Sequence, residues 1–257
     1  MSKFDKEYLK LCKKILTDGI EVENRTGTNS IKIPSYNFHF DLSEEFPMLT
    51  TKQVFYKNAI TEMLWIYQAQ SNDVRWLKER NVNIWNEWEI DENGFWNATQ
   101  MLPDKDGKLV KTEVHKEFGK EYAHTIGTAY GYIVNKFQMT QELIDKIKNH
   151  PEDRRMVMTL WQNDYLDTAV LPSCVWSSEW DVTNGKLNAW VHQRSCDVPL
   201  GLPFNVTQYA TLLCMLAQVC GLQPGTLDWS IKDAHIYVNQ IDGIKEQIRR
   251  QDENEDI

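Results

Sequence analysis

The chain has 257 residues, enough for one sizeable core, and 42% of them are hydrophobic, 25% charged and 11% aromatic. A net charge of −9 and an isoelectric point near 5.2 exclude broad nucleic-acid or membrane-surface binding as a main role. They leave room for a small anionic ligand, because a few clustered arginines overrule the global charge locally.

The start, MSKFDKEYLKLCKK, is charged throughout and lacks the apolar core of a signal peptide. No apolar run is long enough to span a bilayer. The cysteines, Cys12, Cys174, Cys196, Cys214 and Cys220, form no CxxC pair, so a reduced, cytoplasmic setting is expected. There each one is by default a small buried hydrophobe. Ten tryptophans imply large flat surfaces in a core or against a ligand.

In chain order, Phe4, Tyr8, Leu11, Cys12, Ile15 and Leu16 predict a helix over 3–18, ended by Asp18-Gly19. Residues 31–41 alternate like a strand, with Pro34 pointing to an edge or a bend. A helix is expected over 57–69 through Ile60, Met63, Leu64 and Tyr67. Residues 89–125 are polar, charged and turn-rich, and read as an insertion or lid rather than a separate domain. A helix over 140–149 and a strand over 156–161 follow. Strands over 174–182 and 186–195 are joined at Asn184-Gly185, a hairpin signal. A long helix runs from Val206 to Cys220, with Gly221 and Pro224 as stop signals. A last amphipathic helix covers 238–250, before a frayed acidic end, QDENEDI. Strands follow one another too often for a pure βαβ pattern. The expectation is a single α+β domain over 1–257, with a mixed β-sheet covered by helices.

Several polar residues interrupt apolar context. Arg25 sits in the turn NRTGT, Arg154 and Arg155 precede a strand, and Arg194-Ser195 end another. A lone surface arginine is usually only solvated. Gathered from separate elements, these could surround a phosphate, which suits the guanidinium fork and a serine hydroxyl. Asn205 precedes the long helix, so it is either an N-cap or an amide facing a planar heterocycle. His235 and Tyr237 share a face if DAHIY is extended, as a ligand pair or a core pair. Glu62 lies among apolar residues, either on a polar helix face or buried as a tuned acid/base. Cys174, in LPSC, is either a core filler or a nucleophile at a strand end. No metal-ligand spacing joins His39, His115, His124, His150, His192 and His235, and no Gly-rich phosphate loop is present.

The motifs NRTGT, FPMLTTK, IWNEW, DRRM, LPSC, QRSCDVPLGLPFNVTQYA and DAHIY occur in this order over almost the whole chain. The chain closely resembles the folate-dependent, cysteine-using thymidylate synthase family. That resemblance implies reductive methylation of dUMP to dTMP with 5,10-methylenetetrahydrofolate, giving dihydrofolate. It implies that Cys174 adds to uracil C6 and that a nearby cation, Arg194, favours the thiolate. Glu62 and Tyr130 match proton-transfer positions, and Asn205 and Asp197 complete the implied catalytic set. For dUMP it implies Arg25, Arg194, Ser195, Asp197, Asn205, His235 and Tyr237, with Arg154 and Arg155 reaching across a homodimer interface formed by a sheet face. For the folate it implies Ile84, Trp85, Trp88, Asp197, Leu200, Gly201 and Phe204. No metal is implied, and weak messenger-RNA binding is a further family property.

The chain departs from the family at Val175, where histidine is common and valine offers no hydrogen bond. Lys232 stands where a glycine commonly precedes DxH; an outward, solvated lysine is expected. Family members continue for several dozen residues beyond the HxY motif into an apolar closing tail. Against that pattern the C-terminal segment is expected to be absent, with poor water exclusion and slow turnover. The alternatives are a pyrimidine nucleotide hydroxymethylase, a weakly catalytic nucleotide- or RNA-binding protein, and a Cys-His hydrolase using Cys174 with His192 or His235. Asparagine at 205 favours uracil, and no triad or oxyanion motif supports the hydrolase.

Overall fold

Phe4, Tyr8, Leu11, Cys12 and Ile15 recur at three- and four-residue spacing, and α1 (Lys3–Asp18) lays that stripe into the core. The structure is a computed structural model and describes residues 1–255. Ser2 caps α1: its hydroxyl accepts from the Asp5 amide at 3.0 Å, and the Asp5 carboxylate accepts from the Ser2 amide at 2.8 Å. Asp5 is fully buried and does more. It also accepts from the amide and hydroxyl of Thr50, at 2.8 and 2.6 Å, and from those of Thr51, both at 3.1 Å. The helix start thereby clamps the loop of the FPMLTTK motif.

Burial alone would push the Asp5 carboxyl up, but the hydrogen bonds from Thr50 and Ser2 outweigh it and hold it below the ordinary aspartate range. A carboxyl depressed by folding stabilises at neutral pH, and that contribution is lost as pH falls through the folded value. Asp5→Ala is expected to cost about 3 kcal/mol, because it strands several buried donors together. Urea unfolding at pH 7 measures this; a loss no larger than that of a surface substitution would contradict the clamp.

β1 (Ile20–Val22) pairs only with Ser30–Lys32 of β2 (Ser30–Asp41). Pro34 therefore falls where that side of β2 is open, as expected of a strand proline. α2 (Tyr56–Tyr67) and α3 (Val74–Lys78) come next. The 89–125 segment is more ordered than its composition suggested. β3 (Phe95–Pro103) and β4 (Leu109–Glu117) form a separate two-stranded hairpin. One face gathers Trp96, Ala98, Leu102, Val110 and Val114 and the other is largely polar, but apart from Trp96 none of these side chains is fully buried. The hairpin touches the site: the Met101 amide donates to the Arg25 carbonyl at 2.9 Å, and Trp96 stacks on Trp88 at 5.7 Å.

α4 (Gly131–Lys136) and α5 (Met139–Asn149) precede β5 (Val157–Thr159), β6 (Val175–Thr183) and β7 (Lys186–Gln193). The β6–β7 turn holds Asn184 at φ 51° and Gly185 at φ 73°, the left-handed pair that an Asn-Gly hairpin requires. β8 (Cys196–Asp197), α6 (Gly201–Cys220), β9 (Gln223–Tyr237) and α7 (Ile241–Glu255) complete the chain. The main sheet runs β1-β2-β9-β7-β6-β5, with β8 also paired to β9. Its pairs are antiparallel except β7–β9 and β8–β9, which are parallel, and α6 makes the crossover. This is the expected α+β domain with a mixed sheet.

Three expectations need correction. α6 begins at Gly201 rather than Val206, because Pro203 in its first turn surrenders only a backbone donor that would have no helical partner. Asn205 therefore lies inside the helix and is no cap. β9 is one strand of 15 residues, not only the DAHIY end; Leu227, Trp229 and Ile231 alternate inward and Pro224 sits near its start. The acidic end is helical through Glu255, so it does not fray at Gln251; Asp256 and Ile257 lie outside the described residues. Trp65 and Trp229 fill the core, whereas Trp176, Trp190 and Val157 stand 38%, 50% and 51% exposed. All three belong to the consecutive strands β5, β6 and β7. Among the described residues no helix is long and apolar enough to cross a membrane.

Candidate active site

Cys174 precedes β6, at a break in strand regularity. β6 pairs Val175 with Gln193 and Ser177 with His192, leaving Trp176 as a bulge. Bulges re-aim neighbouring side chains. Across from it, β7 ends at Gln193 and β8 restarts at Cys196, both in register with β9. Arg194 and Ser195 fill that gap. Freed from the β9 ladder, the Arg194 amide donates to the Cys174 carbonyl at 2.9 Å. The Arg194 guanidinium donates to the carbonyls of Ser173 and Pro172, at 3.0 and 2.7 Å, and reaches 3.8 Å from the Cys174 sulfur. It also lies over the Trp161 ring, 5.6 Å from the centroid.

The expected cation is thus in place, but it does not win alone. Burial pushes the Cys174 thiol up, and the charges of Arg194 and then Arg25 offset only part of that. The Cys174 amide donates to the Tyr130 hydroxyl at 3.0 Å. Tyr130 takes φ 46° and ψ −107°, a strained pair for a residue with a side chain. The next residue explains it: a Cβ on Gly131 would lie 1.9 Å from the Ser71 carbonyl oxygen. The chain is pressed there, and the strain aims Tyr130 at Cys174.

Glu62, on α2, is 7% exposed, which settles the choice between a surface and a buried carboxylate. It accepts from the Trp85 indole at 2.6 Å and from the Gln208 amide. Burial raises its carboxyl to about 7, with those two donors pulling the other way. A polarised chain of amides reaches it. The Trp229 indole donates to Gln193 at 3.0 Å, Gln193 to Asn205 Oδ1 at 3.1 Å, and Asn205 Nδ2 to Gln208 Oε1 at 3.1 Å. An indole nitrogen only donates, so Trp229 fixes the orientation of every amide down to Glu62. A cavity of about 190 Å³ is lined by Glu62, Trp85, Tyr130, Cys174, Val175 and Asn205, among others.

Because Glu62 keeps its proton to about 7 when folded and an ordinary glutamate releases it near 4.5, folding takes up a proton in between. The stability this contributes is present below the lower value and lost as pH rises through the upper one, roughly 3 kcal/mol in all. Unfolding free energies measured between pH 4.5 and 8 should fall more steeply in the wild type than in Glu62→Gln. Parallel curves would mean that Glu62 titrates normally.

The other expected residues divide. His235 is buried and packs edge-on against Tyr237 at 5.1 Å. Both acceptors of Asp233 face its Nδ1, at 2.9 and 3.1 Å, so that nitrogen carries the hydrogen. Asp197 accepts from the Leu200 amide at 3.0 Å and from Gln240 at 3.2 and 3.1 Å. Ile84 and Leu200 expose 42% and 63% of their surface, and Phe204 and Trp88 are half-buried. A Cβ on Gly201 would meet nothing closer than Asn205 at 3.7 Å. Lys232 points outward.

Arg154 and Arg155 do not join the Cys174 cavity. Arg155 pairs with Asp153 at 2.8 Å, and Arg154 lines a cavity on the sheet with Glu179 and Trp190. His192 binds Glu179 at 3.0 Å, and His235 faces Asp233 at 2.9 Å, so each imidazole has a carboxylate partner. Among the described residues no three His, Cys, Asp or Glu side chains gather as metal ligands. Gln193, Gln208 and Trp229 escaped the sequence reading. Gln208 alone left a signal, one helical turn after Asn205.

A thiol beside a guanidinium, with a buried carboxylate and a pre-oriented amide around one cavity, equips an enzyme for covalent catalysis on a planar substrate. The family pattern of thymidylate synthase matches residues 6–256. A thymidylate synthase of Clostridium beijerinckii is 44% identical over 253 residues, covering 98% of this chain and 84% of that protein. The solved structure of thermostable thymidylate synthase A from Bacillus subtilis superposes with a TM-score of 0.79 at 35% identity, over 96% of this chain and 84% of that one. The chain belongs to the thymidylate synthase family, methyltransferases that convert dUMP to dTMP with 5,10-methylenetetrahydrofolate as co-substrate.

Proposed function

We propose that the cavity at Cys174 carries out this reductive methylation, with Cys174 as the nucleophile at uracil C6. The observation that carries it is the placement of the Cys174 sulfur 3.8 Å from Arg194, in one cavity with Glu62 and Asn205. Uracil C5 is a poor nucleophile, and a thiolate at C6 turns the ring into an enolate. Arg25, Arg194 and Ser195 hold the phosphate. An incoming dianion adds no positive charge of its own, so Arg194 must serve thiol and phosphate together. His235 and Tyr237 receive the sugar hydroxyl, and Asn205 reads the uracil edge. The folate supplies the one-carbon unit and the hydride. Trp85, Trp88, Ile84, Leu200, Gly201, Phe204 and Asp197 form its side of the cavity. Glu62 and Tyr130 hold and move protons.

The test is 5-fluoro-dUMP with methylenetetrahydrofolate. Fluorine at C5 cannot leave as a proton, so mass spectrometry should find a covalent ternary adduct on Cys174. A chain that turns over dUMP but leaves Cys174 unmodified would overturn the assignment.

The exposed Trp176, Trp190 and Val157 support a homodimer through this sheet face. Arg154 and Arg155, on the same side and remote from their own Cys174, then serve the partner's phosphate. Mixing Arg154→Ala chains with Arg25→Glu chains should restore part of the activity that each has lost. Heterodimers that form and stay inactive would exclude a shared site.

A further inference from the structure

Val175 lines the reaction cavity beside Cys174 and has no hydrogen to donate. Among the side chains of that cavity that do are two tyrosines bonded to each other. Tyr67, at the end of α2, and Tyr209, on α6, are 4% and 5% exposed, and their hydroxyls are hydrogen-bonded to each other. Their rings meet edge to face at 5.8 Å, and Tyr209 packs edge-on against Trp229 at 5.5 Å, so both rings are held.

Two phenols bring two O–H hydrogens, and one bond between them uses one. Among the described residues neither hydroxyl has another hydrogen bond. The second hydrogen is buried and needs an acceptor, since an unmet buried donor costs about 1–3 kcal/mol. The cavity of about 190 Å³ has room for water, which takes roughly 30 Å³ in the liquid. It also offers a water a further partner. Glu62 spends one bond on each carboxylate oxygen, leaving lone pairs, whereas the Tyr130 hydroxyl is already engaged with Cys174.

We propose that the Tyr67–Tyr209 hydroxyl pair anchors a water against Glu62 and orients it for the proton transfers of the reaction. The water takes the spare phenolic hydrogen and gives one of its own to the Glu62 carboxylate. The phenols are donors and not bases: burial holds both above the ordinary tyrosine range, and the Glu62 charge pushes Tyr209 in the same direction. Both are positioning residues. They act through the water, and the proposal rests on the assignment of Glu62 and Cys174 above.

Tyr67→Phe and Tyr209→Phe keep the rings and remove one hydroxyl each. Tritium release from [5-³H]dUMP with methylenetetrahydrofolate reads removal of the C5 proton directly. Each variant is expected to lower kcat for release roughly 10- to 100-fold, with KM for dUMP within about twofold and the pH dependence of kcat displaced. The double variant should be little worse than either single one, because the pair acts as a unit. Variants that melt lower yet keep the wild-type kcat and pH profile would show a purely structural bond and overturn the proposal. A wild-type chain that binds dUMP but releases no tritium would overturn the underlying assignment, and the proposal with it.

Discussion

Replacing Cys174 with serine is expected to reduce dTMP formation by on the order of 10⁴-fold or more, while dUMP binding changes only a fewfold. The sulfur acts through covalent bonding at C6, not through ground-state binding, so its loss should fall on kcat. Serine keeps the size of the side chain but lacks a usable anion near neutral pH. The surroundings sharpen the contrast. Burial already holds the thiol up despite Arg194 and Arg25, and an alkoxide would be far harder to generate there. In the proposed assignment the phosphate and base contacts come from Arg25, Arg194, Ser195 and Asn205, which the substitution leaves alone. Calorimetric titration with dUMP beside a turnover assay separates the two effects. A variant that retains more than about one-hundredth of the rate would remove Cys174 as the nucleophile.

The same thiol marks where sequence reading reaches and where it stops. Arg194, Ser195 and Asn205 were legible because local motifs carry them, and the β6–β7 hairpin followed from alternation and an Asn-Gly turn, but β7 stops at Gln193 rather than at 195, which leaves Arg194 and Ser195 in the gap before β8. Its charge state was not legible, because burial is set by packing between distant elements. Glu62 shows the same limit. Its partners Trp85 and Gln208 lie 23 and 146 residues away, so no local pattern could say which way the carboxylate faces. α1 was plain from its stripe, but the clamp by Asp5 on Thr50 and Thr51 spans 45 and 46 residues and left no local trace. β9 was masked by Pro224, read as the end of a helix when it stands near the start of a central strand. Tyr67 stood out only as part of the α2 stripe and Tyr209 only within a motif; their shared cavity with Glu62 gives them a second meaning.

Asn205→Asp is expected to lower kcat/KM for dUMP by roughly 10³-fold and to make dCMP the better substrate of the two. The hydrogen-bond count at this side chain explains why. Asn205 Oδ1 receives one bond from Gln193, and Nδ2 gives one to Gln208. One acceptor site and one N–H remain, which matches the N3–H and O4 of uracil. Cytosine presents an acceptor at N3 and donors on its exocyclic amine, the reverse pattern, and the locked amide cannot turn to meet it. Aspartate at 205 offers acceptors to the exocyclic amine and, when protonated, a donor to N3. It also faces Gln208 Oε1 with no hydrogen to give when ionised, which drives the Gln208 amide to flip. The flip withdraws a donor from Glu62, and its carboxyl should rise above the present value of about 7. Competition between dUMP and dCMP measures the selectivity. The pH dependence of stability in the double variant Asn205→Asp/Gln208→Ala isolates the relay. If dUMP selectivity survives the substitution, the base is not read by Asn205. If selectivity changes but the Glu62 titration stays where it is, the amide chain orients Asn205 without coupling it to the carboxylate.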